Sequence, residues 1–127
     1  MSTIETSIKI VRNEGKLVSF AVIMPIKVEK STDGNFRIYM PLFYSEAVAK
    51  DESDVEKAVE EFVIDYCRDA EEFGPGIETE LQELGWVIID DKANEPAFEF
   101  YIRHIVTTLD PLLKYKMRSF NKNLELT

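Results

Sequence analysis

The sequence predicts an α+β fold in which one long helix packs on a face of a mostly antiparallel β-sheet. Two stretches, 4–12 and 17–30, alternate apolar and polar residues with the period of two that is typical of half-buried strands. A third stretch, 53–73, repeats apolar residues every three or four positions, as an amphipathic helix does. An Asp-Gly pair at 33–34 is typical of the turn of a β-hairpin. Together these patterns indicate an antiparallel sheet that is covered by a helix.

Length and composition indicate one globular domain over residues 1–127. The chain is 45% hydrophobic and 31% charged, and its length is enough to bury a substantial core. No stretch approaches the roughly 20 apolar residues that a transmembrane helix needs. Residues 1–5 lack the basic and apolar pattern of a secretory signal, so we expect a soluble, cytoplasmic protein. The single cysteine, Cys67, lies near the inner side of the predicted helix, where we expect a buried core thiol.

The amino-terminal part of the chain predicts two hairpins. Gly15 lies between the first two strands and suits a turn that needs a positive φ. Pro25 lies inside the second strand and cannot donate a ladder hydrogen bond, so we expect an edge position, a bulge or a break there. The Asp-Gly turn then leads into a strand over 36–40, and 47–49 is long enough only for a brief strand.

A capping box predicts where the long helix begins. Ser53 and Glu56 have the spacing at which a serine oxygen accepts an amide of the first turn and a glutamate reaches back to the serine amide. The apolar side of the helix is predicted to include Phe73, and the Gly-Pro-Gly sequence at 74–76 is expected to end the helix.

The remaining sequence predicts two more helices and two more strands. A short helix is expected over 77–84, followed by strands over 86–89 and 97–104. Asp110 and Pro111 are typical of a helix start, and basic residues follow them at helical spacing. We therefore expect a basic amphipathic helix over 110–121.

Charge is distributed unevenly and bears on the kind of partner. The formal net charge is -9, which disfavours nucleic acid because a phosphate backbone would be repelled. Residues 46–83 contain 14 acids and three bases, whereas residues 103–127 contain five bases and two acids. This asymmetry suits a basic protein partner, although acids on a helix also serve simply to keep its outer face solvated.

Motifs for catalysis or cofactor binding are lacking in the sequence. It contains no phosphate-binding loop, no dinucleotide fingerprint and no paired cysteine motif. His104 is the single histidine and has no carboxylate beside it, and zinc binding by His104 and Cys67 would need further ligands. We therefore predict no catalytic residue, no cofactor and no metal.

One family shares the order of these features. After a first strand, the sequence contains Asp33-Gly34-x-Phe36, a strand ending in Met40-Pro41, the short strand Ala47-Val48-Ala49, the polar Asp51-Glu52-Ser53, and a helix beginning Val55-Glu56-Lys57-Ala58. Over residues 20–75 this order resembles the HicB-like antitoxin domain. The resemblance implies a core over 20–90 with a three-stranded antiparallel sheet, one helix and a further strand, described as a degraded ribonuclease H-like fold. Residues 1–16 then add a strand to that core.

The resemblance also implies a function without enzymatic activity. HicB-like proteins commonly neutralise a small basic RNA-cleaving toxin, and many add a DNA-binding segment. Here the sequence after residue 105 has room for one short helix, whereas a helix-turn-helix needs two, so we expect no DNA binding by this chain alone.

Our leading hypothesis is an interaction module whose acidic helix engages a basic protein partner. The residues predicted to make that contact are the helix acids and two possible aromatic anchors: Glu56, Glu60, Asp65, Asp69, Glu72, Tyr39 and Tyr44. The alternative is a self-assembling structural domain, in which the basic carboxy-terminal helix docks on an acidic face of another copy. We expect a homo-oligomer in either case. A third class, a small-ligand or metal-dependent enzyme, would require polar residues that converge in a cavity.

Overall fold

The fold is that of a computed structural model, which describes residues 6–100 and 116–124. It is α+β, with seven antiparallel strands and one long helix, as the sequence predicts. The strands are β1 (Ser7–Asn13), β2 (Lys16–Lys30), β3 (Phe36–Met40), β4 (Ser45–Ala49), β5 (Trp86–Asp90), β6 (Ala97–Phe100) and β7 (Lys116–Asn123). The helices are α1 (Val55–Glu72) and α2 (Ile77–Leu84), and 3₁₀ turns cover Pro41–Phe43 and Glu52–Asp54.

The sheet is built around the long strand β2. Its order is β4-β3-β2-β1-β6-β5, and β7 also pairs with β2. Residues 19–23 of β2 pair with both β1 and β7, so this part of the strand is central. Alternate residues of β2, from Phe20 to Ile26, are buried on the side of the sheet that the helices cover. Neither α1 nor α2 has the length and apolar character needed to cross a membrane.

Both predicted hairpins are present. Gly15 has a φ of 80° in the β1–β2 turn, and Gly34 has a φ of 89° in the β2–β3 turn. In the second turn the Asn35 amide donates to Asp33 Oδ1 at 2.9 Å, and Ser31 also donates to that carboxylate. The hydrogen bond from Ser31 and then that from Asn35 lower the pKa of Asp33. The turn residues therefore fix these connections locally, as the sequence indicates.

Of the three alternatives predicted at Pro25, the break is absent, because β2 runs for 15 residues, and the edge position is observed. The strand changes partners around the proline. Pairing with β1 ends at Ile23 and pairing with β3 starts at Lys27, while Pro25 lies opposite Met117 of β7. Since only one neighbouring strand is registered with Pro25, the missing N–H is tolerated there.

Helix α1 begins later than predicted, and the capping box does not form. Ser53 lies within the 3₁₀ turn, and the N-cap position belongs to Asp54, which makes no side-chain capping hydrogen bond. An N-cap serine needs extended backbone, which here occurs at Asp51 (φ -124°, ψ 153°). The polypeptide therefore enters the helix through a tighter first turn.

The inner side of α1 follows the predicted periodicity except at its end. Val55, Val59, Val63, Cys67 and Ala70 are buried against the sheet. Phe73 was predicted to join them but is 83% exposed, because the helix ends at Glu72 and the backbone of Phe73 leaves helical geometry. Cys67 is a buried thiol, as predicted, and burial raises its pKa to about 12.

The prediction of a basic helix over 110–121 is wrong from Lys116 onward. Residues 116–123 form β7, and the earlier part of the predicted helix lies outside the described residues. Eight residue pairs join β7 to β2, with Phe120 opposite Val22 and 7% exposed. Strand pairing with the available edge of β2 thus outweighs the helix preference that the spacing of these residues indicates. The strand predicted over 97–104 is observed as β6 up to Phe100, and its remainder also lies outside the described residues.

An aromatic cluster joins the 3₁₀ turn after β3 to α1 and β5. The Phe43 ring lies 5.3 Å from Tyr66 and 6.0 Å from Trp86, and Trp86 lies 5.5 Å from Phe100. Trp86 is 1% exposed, and its indole N–H donates to the Leu42 carbonyl at 3.2 Å. Burial raises the pKa of Tyr66 well above its usual range. The cluster therefore connects segments that are about 40 residues apart in sequence.

A second connection is the ionic cluster of Arg12, Glu71 and Glu78. The guanidinium donates to both oxygens of Glu78, at 2.7 and 2.5 Å, and to both oxygens of Glu71, at 2.5 and 3.0 Å. It also donates to the Gly15 carbonyl, and Glu71 accepts the Ile77 amide at 2.9 Å. Because Gly76 has no side chain to cap α2, Glu71 supplies that cap from α1. The cluster thus ties the first hairpin to both helices.

Acid is expected to weaken this cluster. Hydrogen bonds from Arg12 lower the pKa of Glu71 and of Glu78 below the ordinary value of 4.5. A depressed folded-state pKa contributes stability that is present above pH 4.5 and is lost as the pH falls through the folded-state values. Urea denaturation should therefore show that Glu78→Gln loses less stability than wild type when the pH is lowered below 4.5. Parallel curves for the two proteins would contradict this assignment.

Candidate functional site

A groove opens where the sheet extends beyond the start of α1. We call it the α1 groove, and its volume is about 570 Å³. Its apolar lining consists of Ile26, Val28, Phe36 and Val55. Its polar lining consists of Lys30, Glu52, Ser53, Glu56 and Arg118. The lining residues come from β2, β3, the 3₁₀ turn Glu52–Asp54, α1 and β7, so the groove exists only in the folded chain.

The apolar part of the groove is present because β2 extends beyond the point at which α1 begins. The inward-facing residues of β2 continue past Ile26, which is 3% exposed, to Val28, which is 40% exposed. The helix begins at Val55 and leaves Val28 only partly covered. An apolar surface is therefore accessible beside the first turn of α1.

Both signs of charge lie around this surface. Glu52 and Glu56 lie on the helix side, and Lys30 and Arg118 lie on the strands. The Lys30 ammonium lies 5.9 Å from the centre of the Phe36 ring, within cation–π range. Such a groove suits a side chain with an apolar stem and a charged head, because each part then meets its complement.

The seven predicted contact residues do not form one surface. Glu56 lines the α1 groove, and Glu60 lies one turn further along, where its carboxylate meets the Lys122 ammonium at 3.0 Å. A step of five residues along a helix turns by about 140°, so Asp65 lies on a different side from Glu60. Asp65 meets Arg68 at 3.4 Å, and both Asp69 and Glu72 are exposed.

The two tyrosines lie on the sheet and on the turn before β4, not on α1. Tyr39 pairs with Lys27 across strands, on the sheet face that points away from the helices, and the Lys27 ammonium lies 5.1 Å from its ring centre. Tyr44 follows the first 3₁₀ turn with a φ of 49° and is 63% exposed. Of the predicted aromatic anchors, Tyr44 is therefore exposed, whereas Tyr39 is partly buried and lies on the face of the sheet that α1 does not cover.

The outward surface of the two helices is strongly acidic. Helix α1 contains seven carboxylates and two cations, and α2 contains three carboxylates and no cation. We call this surface, with Asp65, Asp69 and Glu72 at its centre, the acidic helix layer. Sequence periodicity located its members correctly because they are the complement of the buried stripe. The groove residues of β2 and β7 were missed, since the sequence shows no signal for which strand passes beside α1.

The described residues in and around the groove contain no set of metal ligands. In residues 6–100 and 116–124, no three His, Cys, Asp or Glu side chains converge. Comparison of the chain with protein-family models, with curated proteins and with solved structures gave no match.

Proposed function

We propose that this protein is a non-enzymatic interaction module that binds a basic protein through its acidic helix layer and the α1 groove. The observation that carries the proposal is the concentration of ten carboxylates and two cations on α1 and α2. Arg12 binds two of these carboxylates, Glu71 and Glu78, and Lys122 binds Glu60, which leaves seven for a partner. Complementary charge of this kind accelerates encounter and selects partners by sign.

The α1 groove supports the same proposal at closer range. A lysine or arginine of the partner would lay its methylene stem on Val28 and Phe36 and place its charge near Glu52 and Glu56. Apolar anchors in such grooves usually carry more binding energy than the charged residues at their rim. In this proposal the acidic layer attracts the partner and the groove holds it.

The proposal includes the relation to HicB-like antitoxins that the sequence suggests. The order of hairpin, short strand and acidic helix agrees with that resemblance, and the partner would then be a small basic RNA-cleaving toxin. Its gene is expected beside the gene of this protein, which permits co-expression of the two.

Charge reversal on the acidic helix layer is expected to weaken partner binding about tenfold or more, because attraction becomes repulsion. The variant is Asp69→Lys/Glu72→Lys, since both side chains are exposed. Co-purification of the neighbouring gene product with tagged protein, followed by titration calorimetry of the complex, measures the change.

A matched control distinguishes the effect of where the charges are reversed from the effect of the change in net charge. Asp90→Lys/Asp91→Lys makes the same change in charge at two exposed residues near the end of β5, away from the acidic helix layer. This control should retain binding. Equal loss in both variants, full binding by both, or recovery of no basic protein with wild type would contradict the proposal.

A further inference from the structure

The two end strands of the sheet differ in how they are protected. Strand β5 has a register shift between Ile88 and Asp90 and ends in a charged residue, and both features discourage a further strand from pairing. Strand β4 has neither. Its five residues pair with β3 in unbroken register, and it contains no proline, no lysine and no bulge. Among residues 6–100 and 116–124, no strand pairs with the outer edge of β4, which is therefore open to another extended strand.

The side chains of β4 suit close approach by such a strand. Ala47 and Ala49 lie on the helix side and are small. Val48 lies on the other face opposite Arg37, and it is 56% exposed although it is apolar. Glu46 and Lys50, the second neighbours of Val48, are also exposed. Lys50 is the first residue after β4, so pairing that extends by this one residue would place opposite charges on either side of an accessible valine.

The pattern is complementary to itself in one antiparallel register. When Val48 of one copy lies opposite Val48 of another, Glu46 of each copy lies opposite Lys50 of the other, and Ala47 lies opposite Ala49. A shift of the register by two residues keeps the same side chains on this face, but it places Val48 opposite Glu46 or opposite Lys50. Opposite-charge and apolar pairs stabilise neighbouring strands, whereas these mixed pairs do not.

We propose that a second copy of this chain pairs antiparallel with β4 about a two-fold axis at Val48, which makes the two sheets continuous. The interface is isologous, because the same residues serve both copies. It lies at the β4 edge, against which α1 packs, and it uses none of the residues proposed to contact the basic partner, so the inference does not depend on that partner.

Reciprocal charge variants test this register directly. Glu46→Lys places two lysine pairs across the two-fold axis, and Lys50→Glu places two glutamate pairs there, so each variant alone should dimerise about tenfold more weakly than wild type. An equimolar mixture of the two variants restores both opposite-charge pairs. Sedimentation velocity over a concentration series should show dimers in the mixture and in wild type, and mostly monomers in each variant alone.

A valine variant tests the centre of the interface. Val48→Lys should also give monomers, because two lysines meet at the two-fold axis, while Ile89→Lys changes an exposed aliphatic residue of β5 and should leave the dimer intact. Circular dichroism checks that all variants fold. A monomeric wild type, a dimer that survives Val48→Lys, or a variant mixture that stays monomeric would overturn the proposal.

Discussion

Replacing Arg12 with alanine is expected to destabilise the protein by about 3 kcal/mol, measured as the free energy of unfolding in urea. The side chains of Arg12, Glu71 and Glu78 are only 15%, 18% and 30% exposed. Removing the guanidinium leaves two partly buried carboxylates that repel one another and have lost their donors. The loss should be smaller for Arg12→Lys, because an ammonium keeps a positive charge beside the two carboxylates. It should not vanish, because an ammonium cannot make the bidentate contacts of a guanidinium.

An exposed ion pair provides the control for this result. Arg68→Ala removes a contact to Asp65 in which the side chains are 46% and 66% exposed, and it should cost no more than about 0.5 kcal/mol. Adding Glu78→Gln to Arg12→Ala should recover part of the stability, since it relieves the repulsion. If Arg12→Ala and Arg68→Ala cost the same, the cluster does not join the hairpin to the helices as described.

Replacing Trp86 with alanine is expected to destabilise the protein by about 4 kcal/mol, because it opens a cavity between Phe43 and Phe100 and removes the donor to the Leu42 carbonyl. Trp86→Phe keeps an aromatic ring and should cost about 1 to 2 kcal/mol, mainly for the lost hydrogen bond. Trp86 is the single tryptophan, so neither variant retains tryptophan fluorescence as a probe of unfolding. Urea denaturation followed by far-ultraviolet circular dichroism measures the free energy of unfolding of both variants.

The exposed Phe73 is the matched control for the aromatic cluster. It is 83% exposed, so Phe73→Ala should change stability by less than about 0.5 kcal/mol. A large loss in Phe73→Ala would mean that the end of α1 packs as the sequence pattern predicted. A small loss in Trp86→Ala would contradict the role of the aromatic cluster.

The candidate site shows why local sequence patterns were insufficient to predict which residues contact one another. Periodicity placed Asp65, Asp69 and Glu72 on the outer side of α1 correctly, because a helix fixes the relative directions of its own residues. It did not reveal that Glu60 meets Lys122. That contact joins residues 62 positions apart, and it depends on which strand lies beside α1.

The carboxy-terminal strand shows the same limit more sharply. Met117 and Phe120 have helical spacing with Leu113, yet Phe120 also fits an alternating strand. Helical spacing over so short a segment is a weak preference, and eight pairs along β2 outweigh it. The capping box at Ser53, which does not form, is a smaller case, in which the backbone enters the helix two residues later than the pattern predicts.

By itself, the sequence determined the α+β class, both hairpins with their turns at Gly15 and Gly34, helix α2, and most of the buried side of α1. These features depend on glycines that adopt a positive φ and on the spacing of residues that are close together in sequence, within one or two helical turns or a few strand residues. Only the tertiary structure decided that β7 pairs with β2, which carboxylates Arg12 binds, and the shape of the α1 groove. Each of these brings together segments far apart in sequence, and competition for strand edges and buried volume selects among arrangements that the local pattern allows equally.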